Sequence, residues 1–184
     1  MEPTVLDFLR AMLPGMALFA ALWSALRPLR RRRLARLGLV SPSSREWLLL
    51  AFVAYCGGMA VLTLLPNRFD LLTVLRKGYN EPFFRRGTVN LHLMQTLRYG
   101  LMIFAANVIM SIPFGFFPAV LWRRSRWWKA LIIAVGTTCF IECWQIHIGR
   151  SFDVDDLLLN AAGAMLGWLL WLILKKPTRT CEER

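Results

Sequence analysis

Five long stretches with few or no charged residues divide this chain, and they constrain its fold more than any motif does. They cover residues 11–26, 47–67, 99–122, 130–148 and 157–174, and only the fourth contains an acid, Glu142. At about 1.5 Å of rise per residue, helices of this length cross a hydrocarbon core of roughly 30 Å, the first with help from its flanks. Because lipid offers the backbone no hydrogen-bond partners, we expect an all-α polytopic membrane helix bundle of about five transmembrane helices.

The distribution of basic residues predicts how these helices are oriented. The formal net charge is +12, and fifteen Lys and Arg residues follow the first, third and fifth stretches, within 27–45, 123–129 and 175–184. Seven others follow the second and fourth stretches, and Arg10 lies at the edge of the first. By the positive-inside rule, the N-terminus is outside and the C-terminus is in the cytoplasm. Anionic lipid headgroups, rather than nucleic acid, are the expected partners of this charge.

The topology predicts three parts. Residues 1–89 hold two N-terminal transmembrane helices with a basic cytoplasmic loop of about twenty residues and the start of an outer loop, 90–174 hold a core of three transmembrane helices, and 175–184 form a cytoplasmic tail. The outer loop, 68–98, carries Tyr79, Pro82, Phe83 and Phe84. Two interpretations of this loop are equally supported: a short segment that lies along the membrane interface, or a plain connector.

A set of polar residues near the fourth and fifth stretches predicts a ligand pocket. Asp153, Asp156, Asn160, Gly163 and Gly167 advance by three or four residues and therefore share one helix face, from which Asp155 points away. The short link between the two stretches makes their helices antiparallel neighbours. Ionisable groups at membrane depth are costly and usually mark a functional site. The candidates for an outer-leaflet pocket are Asn107, Glu142, Gln145, Arg150, Asp153, Asp156 and Asn160.

Helix packing and capping offer a second interpretation of several of these residues. Ser151 could N-cap the fifth helix, and Asp153 would then interact favourably with the helix dipole. Gly163 and Gly167 form a small-xxx-small step, which favours close helix packing. Pro113 and Gly115 in the third stretch are also assigned to helix packing. This interpretation does not account for Glu142.

The same residues carry a family resemblance. The pattern is Asn107 through Pro113-Phe114-Gly115, then Glu142-x2-Gln145-x4-Arg150-x2-Asp153-x2-Asp156-x3-Asn160-x2-Gly163-x3-Gly167. Over roughly residues 90–171, the chain resembles the VanZ-like family. The resemblance implies a small multi-pass protein of the bacterial cytoplasmic (inner) membrane. The named member of this family is associated with resistance to the glycopeptide teicoplanin.

Three functions are compatible with these observations. The first is a binding or envelope-modifying role in which the pocket holds an anionic lipid headgroup, a lipid-linked cell-wall precursor or a glycopeptide, with Arg150 gripping phosphate or carboxylate. The second is an enzyme acting on a lipid phosphate or glycosyl phosphate, with a divalent cation held by Asp153 and Asp156 and with Glu142 as general base. The third is a small transporter, completed by a homodimer through Gly163 and Gly167. No catalytic residue is identified, and beyond that cation no cofactor is expected.

Overall fold

The computed structural model describes residues 5–66, 83–93, 100–122 and 127–174, and these ranges contain five α-helices and two short strands. The elements are α1 (Val5–Arg36), α2 (Ser43–Leu64), β1 (Val89–Asn90), α3 (Leu101–Leu121), α4 (Trp127–Gln145), β2 (Phe152–Asp153) and α5 (Val154–Leu174). The all-α prediction is confirmed. Tyr79, Pro82 and the predicted tail 175–184 lie outside the described residues.

Four of these helices, α1, α2, α3 and α5, are long and apolar enough to cross a membrane by length and composition. The fourth apolar stretch forms α4, whose 19 residues include Lys129 and Glu142, and these two charges lower its mean hydropathy. The fifth span and the orientation of the helices therefore stay predictions.

The first helix ends later than its apolar stretch predicts. We expected a basic loop of about twenty residues after residue 26, but α1 continues through the arginines to Arg36, and only 37–42 separate it from α2. Arginine is a good helix former, so the change from apolar to charged residues marks the edge of the hydrocarbon and not the end of the helix. Gly38, two residues after Arg36, stops the helix, because its φ of +68° allows the bonds from Leu39 N to Leu34 O and from Gly38 N to Ala35 O of a Schellman motif.

The chain divides into two compact units. The first comprises Met1–Asn90 and Ile141–Phe152, so it holds α1, α2, β1 and the last turn of α4 with the link that follows. Its two long helices are antiparallel and touch at Gly15 and Gly57, where a Cβ added to Gly15 would lie 2.3 Å from the Gly57 carbonyl oxygen. Glycine at this crossing lets the two backbones approach closely.

The second unit comprises Leu91–Phe140 and Asp153–Arg184, and α3 packs against α5 in it. The two helices are parallel, because residue numbers rise in the same direction along both: Asn107 meets Asp156 at one end of the contact, and Gly115 meets Ala164 at the other. If both cross the membrane, the chain between them must cross back, and α4 is the helix in that stretch. The parallel contact therefore supports a fifth span.

In the first unit, residues 85–88 extend alongside the link after α4. Arg85 N donates to His147 O at 2.8 Å, Gly87 N to Ile146 O at 2.7 Å, and Phe152 N to Thr88 O at 2.8 Å. Strands β1 and β2 continue this pairing. A Cβ on Gly87 would come within 1.8 Å of the Arg150 carbonyl oxygen, so glycine is required for this approach. The end of the predicted outer loop is thus an extended segment held by the link.

Candidate functional site

In the first unit, three side chains from the end of α4 and the link satisfy the C-terminus of α2. The last carbonyls of any helix lack partners within it. Here Arg150 Nη1 donates to Leu62 O at 2.7 Å, Gln145 Nε2 to Thr63 O at 3.3 Å, and Trp144 Nε1 to Leu64 O at 2.9 Å. The Arg150 charge also interacts favourably with the negative end of the α2 dipole.

The link turns sharply to place Arg150 in this position. The nitrogens of Ile148 and Arg150 both donate to Gln145 O, at 3.1 and 2.9 Å. Gly149 between them has a φ of +77°, a left-handed conformation that glycine adopts without strain. The turn holds Arg150 close to the last residues of α4, where Gln145 and Glu142 lie one turn apart.

Glu142 is the most deeply buried ionisable residue of this link region. It is 2% exposed, and Gln145 is 5% exposed, whereas Arg150 is half-buried. Glu142 lies in a largely apolar helix, and an ionisable side chain at membrane depth costs roughly 2.5–3.5 kcal/mol on insertion scales. Apolar packing alone gives no reason for a carboxyl group there.

In the second unit, the polar residues form bonds between α3 and α5. Asn107 Nδ2 donates to Asp156 Oδ1, and Ser111 Oγ donates to Asn160 Oδ1 at 2.6 Å. Both pairs repeat at an interval of four residues on each helix, so they form two successive rungs of one contact. These bonds give Asn107, Asp156 and Asn160 a role in joining the helices.

The contact continues through glycine. A Cβ added to Gly163 would lie 2.2 Å from Val108 O, one on Gly167 would lie 2.0 Å from Ile112 O, and one on Gly115 would lie 1.8 Å from Ala164 O. The face of α5 that carries Gly163 and Gly167 is therefore occupied by α3 of the same chain. Pro113 and Pro118 both lie within α3, which runs through them.

The predicted capping of the fifth helix by Ser151 is wrong. The helix begins at Val154, three residues before the apolar stretch, and Asp153 Oδ1 accepts the Asp155 backbone N–H at 3.0 Å in the manner of an N-cap. The hydroxyl of Ser151 instead lies 2.7 Å from that of Thr88. The helix begins early because the side chain of Asp153 satisfies one of its first free N–H groups.

The proposed cation ligands have structural partners in this arrangement. Asp153 caps α5 and Asp156 bonds to Asn107. Within 5–66, 83–93, 100–122 and 127–174, no three His, Cys, Asp or Glu side chains are grouped so that they could hold a metal ion. The cation interpretation of Asp153 and Asp156 rests on their spacing in the sequence.

The sequence analysis did not select four buried polar residues: Ser111, Thr138, Asp155 and Glu46, which are 4%, 4%, 5% and 2% exposed. Ser111 had a usable signal, because it follows Asn107 by the interval that separates Asp156 from Asn160. Glu46 also had a usable signal, because it is the first acidic residue after the seven arginines of residues 27–45. Asp155 had none, since its spacing places it off the polar face.

The structure assigns Glu142, Gln145 and Arg150 to the first unit and Asn107, Asp153, Asp156 and Asn160 to the second. That all seven face one pocket stays a prediction.

Comparison with known proteins identifies the family. Neither a curated protein nor a solved structure matches the chain significantly. The family model described as VanZ/LLP1 matches residues 52–175. This match contains all seven candidate residues and begins within α2, upstream of the resemblance seen in the sequence, so it includes the carbonyls that Arg150, Gln145 and Trp144 satisfy. Because the match covers more than half of the chain, this multi-pass membrane protein belongs to the VanZ/LLP1 family.

Proposed function

We propose that this protein binds or modifies an amphiphilic molecule with an anionic headgroup at the outer face of the bacterial cytoplasmic membrane, through the link region around Glu142 and Arg150. An envelope lipid, a lipid-linked cell-wall precursor and a lipophilic glycopeptide antibiotic all share this chemistry. Binding of the last would contribute to glycopeptide resistance.

The burial of Glu142 carries this proposal. The polar residues of the second unit have a packing role, because Asn107 and Ser111 bond across to α5. Glu142 differs from them in burial and in residue type, since it is an acid, 2% exposed, near the end of an apolar helix. An ionisable group retained at such a cost is more consistent with a site than with packing.

Arg150 supplies the group that would contact the anion. A guanidinium carries five N–H donors in a planar fork and can hold a backbone carbonyl and a phosphate or carboxylate at the same time. The bond to Leu62 O fixes the position of the guanidinium at the end of α2. A preorganised arginine loses less conformational entropy when it binds an anion than a freely moving one.

Lipid retention by the purified full-length protein tests this proposal. Native mass spectrometry of protein extracted with its lipids should show a bound amphiphile that Arg150→Gln loses and Arg150→Lys partly keeps, because Lys preserves the charge without the fork. Arg86→Gln is the matched control, since Arg86 is exposed in the same unit. Equal retention by Arg150→Gln and Arg86→Gln would contradict a headgroup role for Arg150.

Competition then identifies the class of ligand. Anionic phospholipid, an undecaprenyl-linked precursor and teicoplanin are each added to the delipidated protein, and the one that binds with a dependence on Arg150 is the ligand. Glu142→Gln, which keeps the shape of the side chain, should alter the same binding. If neither variant changes the binding of any of the three, the link region is not the site.

The proposed outer location has a separate test. With the native cysteines removed, Ser151→Cys in the link should react with an impermeant thiol reagent added to intact cells, whereas Leu39→Cys between α1 and α2 should not. Both positions are exposed in the structure. Labelling of position 39 alone would place the link in the cytoplasm and refute an outer-leaflet site.

A further inference from the structure

The basic end of α1 is ordered, because the helix continues through its arginines to Arg36. Arg27 and Arg30 are half-buried beside Glu46 of α2, whereas Arg31, Arg32, Arg33 and Arg36 are exposed. The helix therefore separates its arginines into two groups with different surroundings.

The first group is used in packing α1 against α2. Arg30 Nη1 is paired with Glu46 Oε1, and Arg27 Nε lies 3.7 Å from Glu46 Oε2. Glu46 is 2% exposed, and the Arg30 guanidinium also lies 5.6 Å from the centre of the Trp23 ring. One buried carboxylate thus pairs with two arginines, and the other four arginines of this part of α1 do not contact it.

The second group is exposed, and in the part of the chain that the structure describes no acidic side chain pairs with any of its members. Arg33 and Arg36 lie on the same strip of α1 as Leu18, Leu22 and Leu29, which are 54%, 51% and 60% exposed. Exposed leucines on a membrane-length helix face lipid tails. The strip changes from leucine to arginine between Leu29 and Arg33, over about 6 Å.

We infer that Arg31, Arg32, Arg33 and Arg36 form a binding site for the phosphate groups of anionic membrane lipids. Their continuity with the lipid-facing leucines places the guanidinium groups at headgroup depth, where each can hold a phosphate bidentately. Trp47 in the first turn of α2 is 64% exposed, as is typical of aromatic residues at the membrane interface. This site is distinct from the link region and does not depend on the function proposed for it.

Binding of phosphatidylglycerol to the delipidated full-length protein in neutral detergent, with phosphatidylcholine as the uncharged comparison, tests the inference. Each arginine near an anionic surface contributes roughly a fivefold factor in affinity, so Arg32→Gln with Arg33→Gln should weaken phosphatidylglycerol binding on the order of twentyfold. Arg10→Gln with Arg86→Gln removes the same charge from exposed arginines elsewhere and should have less than a fivefold effect. Equal losses in the two double variants would overturn the inference.

Glu46→Gln gives a result in the opposite direction. Removing the carboxylate releases Arg27 and Arg30 from their partner, so phosphatidylglycerol binding should increase severalfold although the melting temperature falls. If this variant does not fold, the comparison of the two double variants decides alone. Unchanged binding by folded Glu46→Gln would overturn the division of the arginines into two groups.

Competitors separate a lipid surface from other sources of phosphate. Raising salt should weaken binding of phosphatidylglycerol, because exposed charges are screened within about a Debye length. Inorganic phosphate at the same ionic strength should weaken it no more than chloride does. Displacement of phosphatidylglycerol at constant ionic strength by millimolar phosphate, or by a random single-stranded oligonucleotide, would overturn the assignment to lipid.

Discussion

Replacing Gly115 with alanine tests how closely α3 and α5 approach. A Cβ at this position would lie 1.8 Å from the Ala164 carbonyl oxygen, 2.6 Å from its carbonyl carbon and 2.9 Å from its Cα. All three atoms are backbone, so no side-chain rotation can relieve the overlap. The helices would have to separate by about 1.2 Å before the shortest of these distances reached an acceptable 3.0 Å.

Two effects determine the size of the loss. Overpacking of a close contact costs typically about 1–3 kcal/mol. Separation also stretches the bond from Ser111 to Asn160, now 2.6 Å, towards the limit of a hydrogen bond. An interhelical bond in a membrane contributes about 0.6 kcal/mol on average. Gly115→Ala should therefore destabilise the folded protein by about 2–4 kcal/mol.

Thermal or denaturant unfolding of the protein in mild detergent measures this loss. Gly136→Ala is the control, because Gly136 is also within a helix of the second unit and has nothing within 4 Å of its added Cβ. Alanine is the better helix former, so the control should be neutral or more stable by up to about 1 kcal/mol. If Gly115→Ala is as stable as Gly136→Ala, the close contact of α3 with α5 is wrong.

Two further predictions use the same assay. In a double-mutant cycle, Ser111→Ala and Asn160→Leu should show a coupling energy of about 0.6–1.7 kcal/mol, and strict additivity would mean that they form no bond. Trp144→Phe should lower the free energy of unfolding by about 1 kcal/mol, because it leaves the Leu64 carbonyl without its indole donor. Trp127→Phe is the control and should change little, since Trp127 is 50% exposed. Equal effects of the two substitutions would argue against the bond.

The apolar stretches predicted the helices, but they did not predict where the helices end. An apolar stretch of sufficient length predicts a helix because lipid excludes other backbone structures. The end of the stretch, however, reflects where the hydrocarbon ends, and α1 continues ten residues beyond it to Arg36. The local signals were Gly38 after α1 and Asp153 before α5, which satisfy backbone groups and so determine where each helix stops or starts.

The helix face that carries the candidate residues could be predicted from their spacing, but the residues that they contact could not. The spacing of Asp156, Asn160, Gly163 and Gly167 predicts one face of α5, and the structure shows α3 packed on that face. Spacing within a helix does not identify the opposing helix. Arg150 illustrates the limit, since it bonds to a backbone carbonyl 88 residues earlier, and every residue carries such a carbonyl.

A polar residue in a membrane helix has two physical justifications, and sequence spacing does not separate them. Bonding to a neighbouring helix and contacting a ligand both require a polar group on an inward face, so both produce intervals of three and four residues. Asp156 and Asn160 bond to side chains of α3, so their loss should be felt as instability. Glu142 differs from them in its chemistry, because it is an acid, 2% exposed, near the end of an apolar helix, and an ionisable group is a more costly way to join helices than an amide or a hydroxyl.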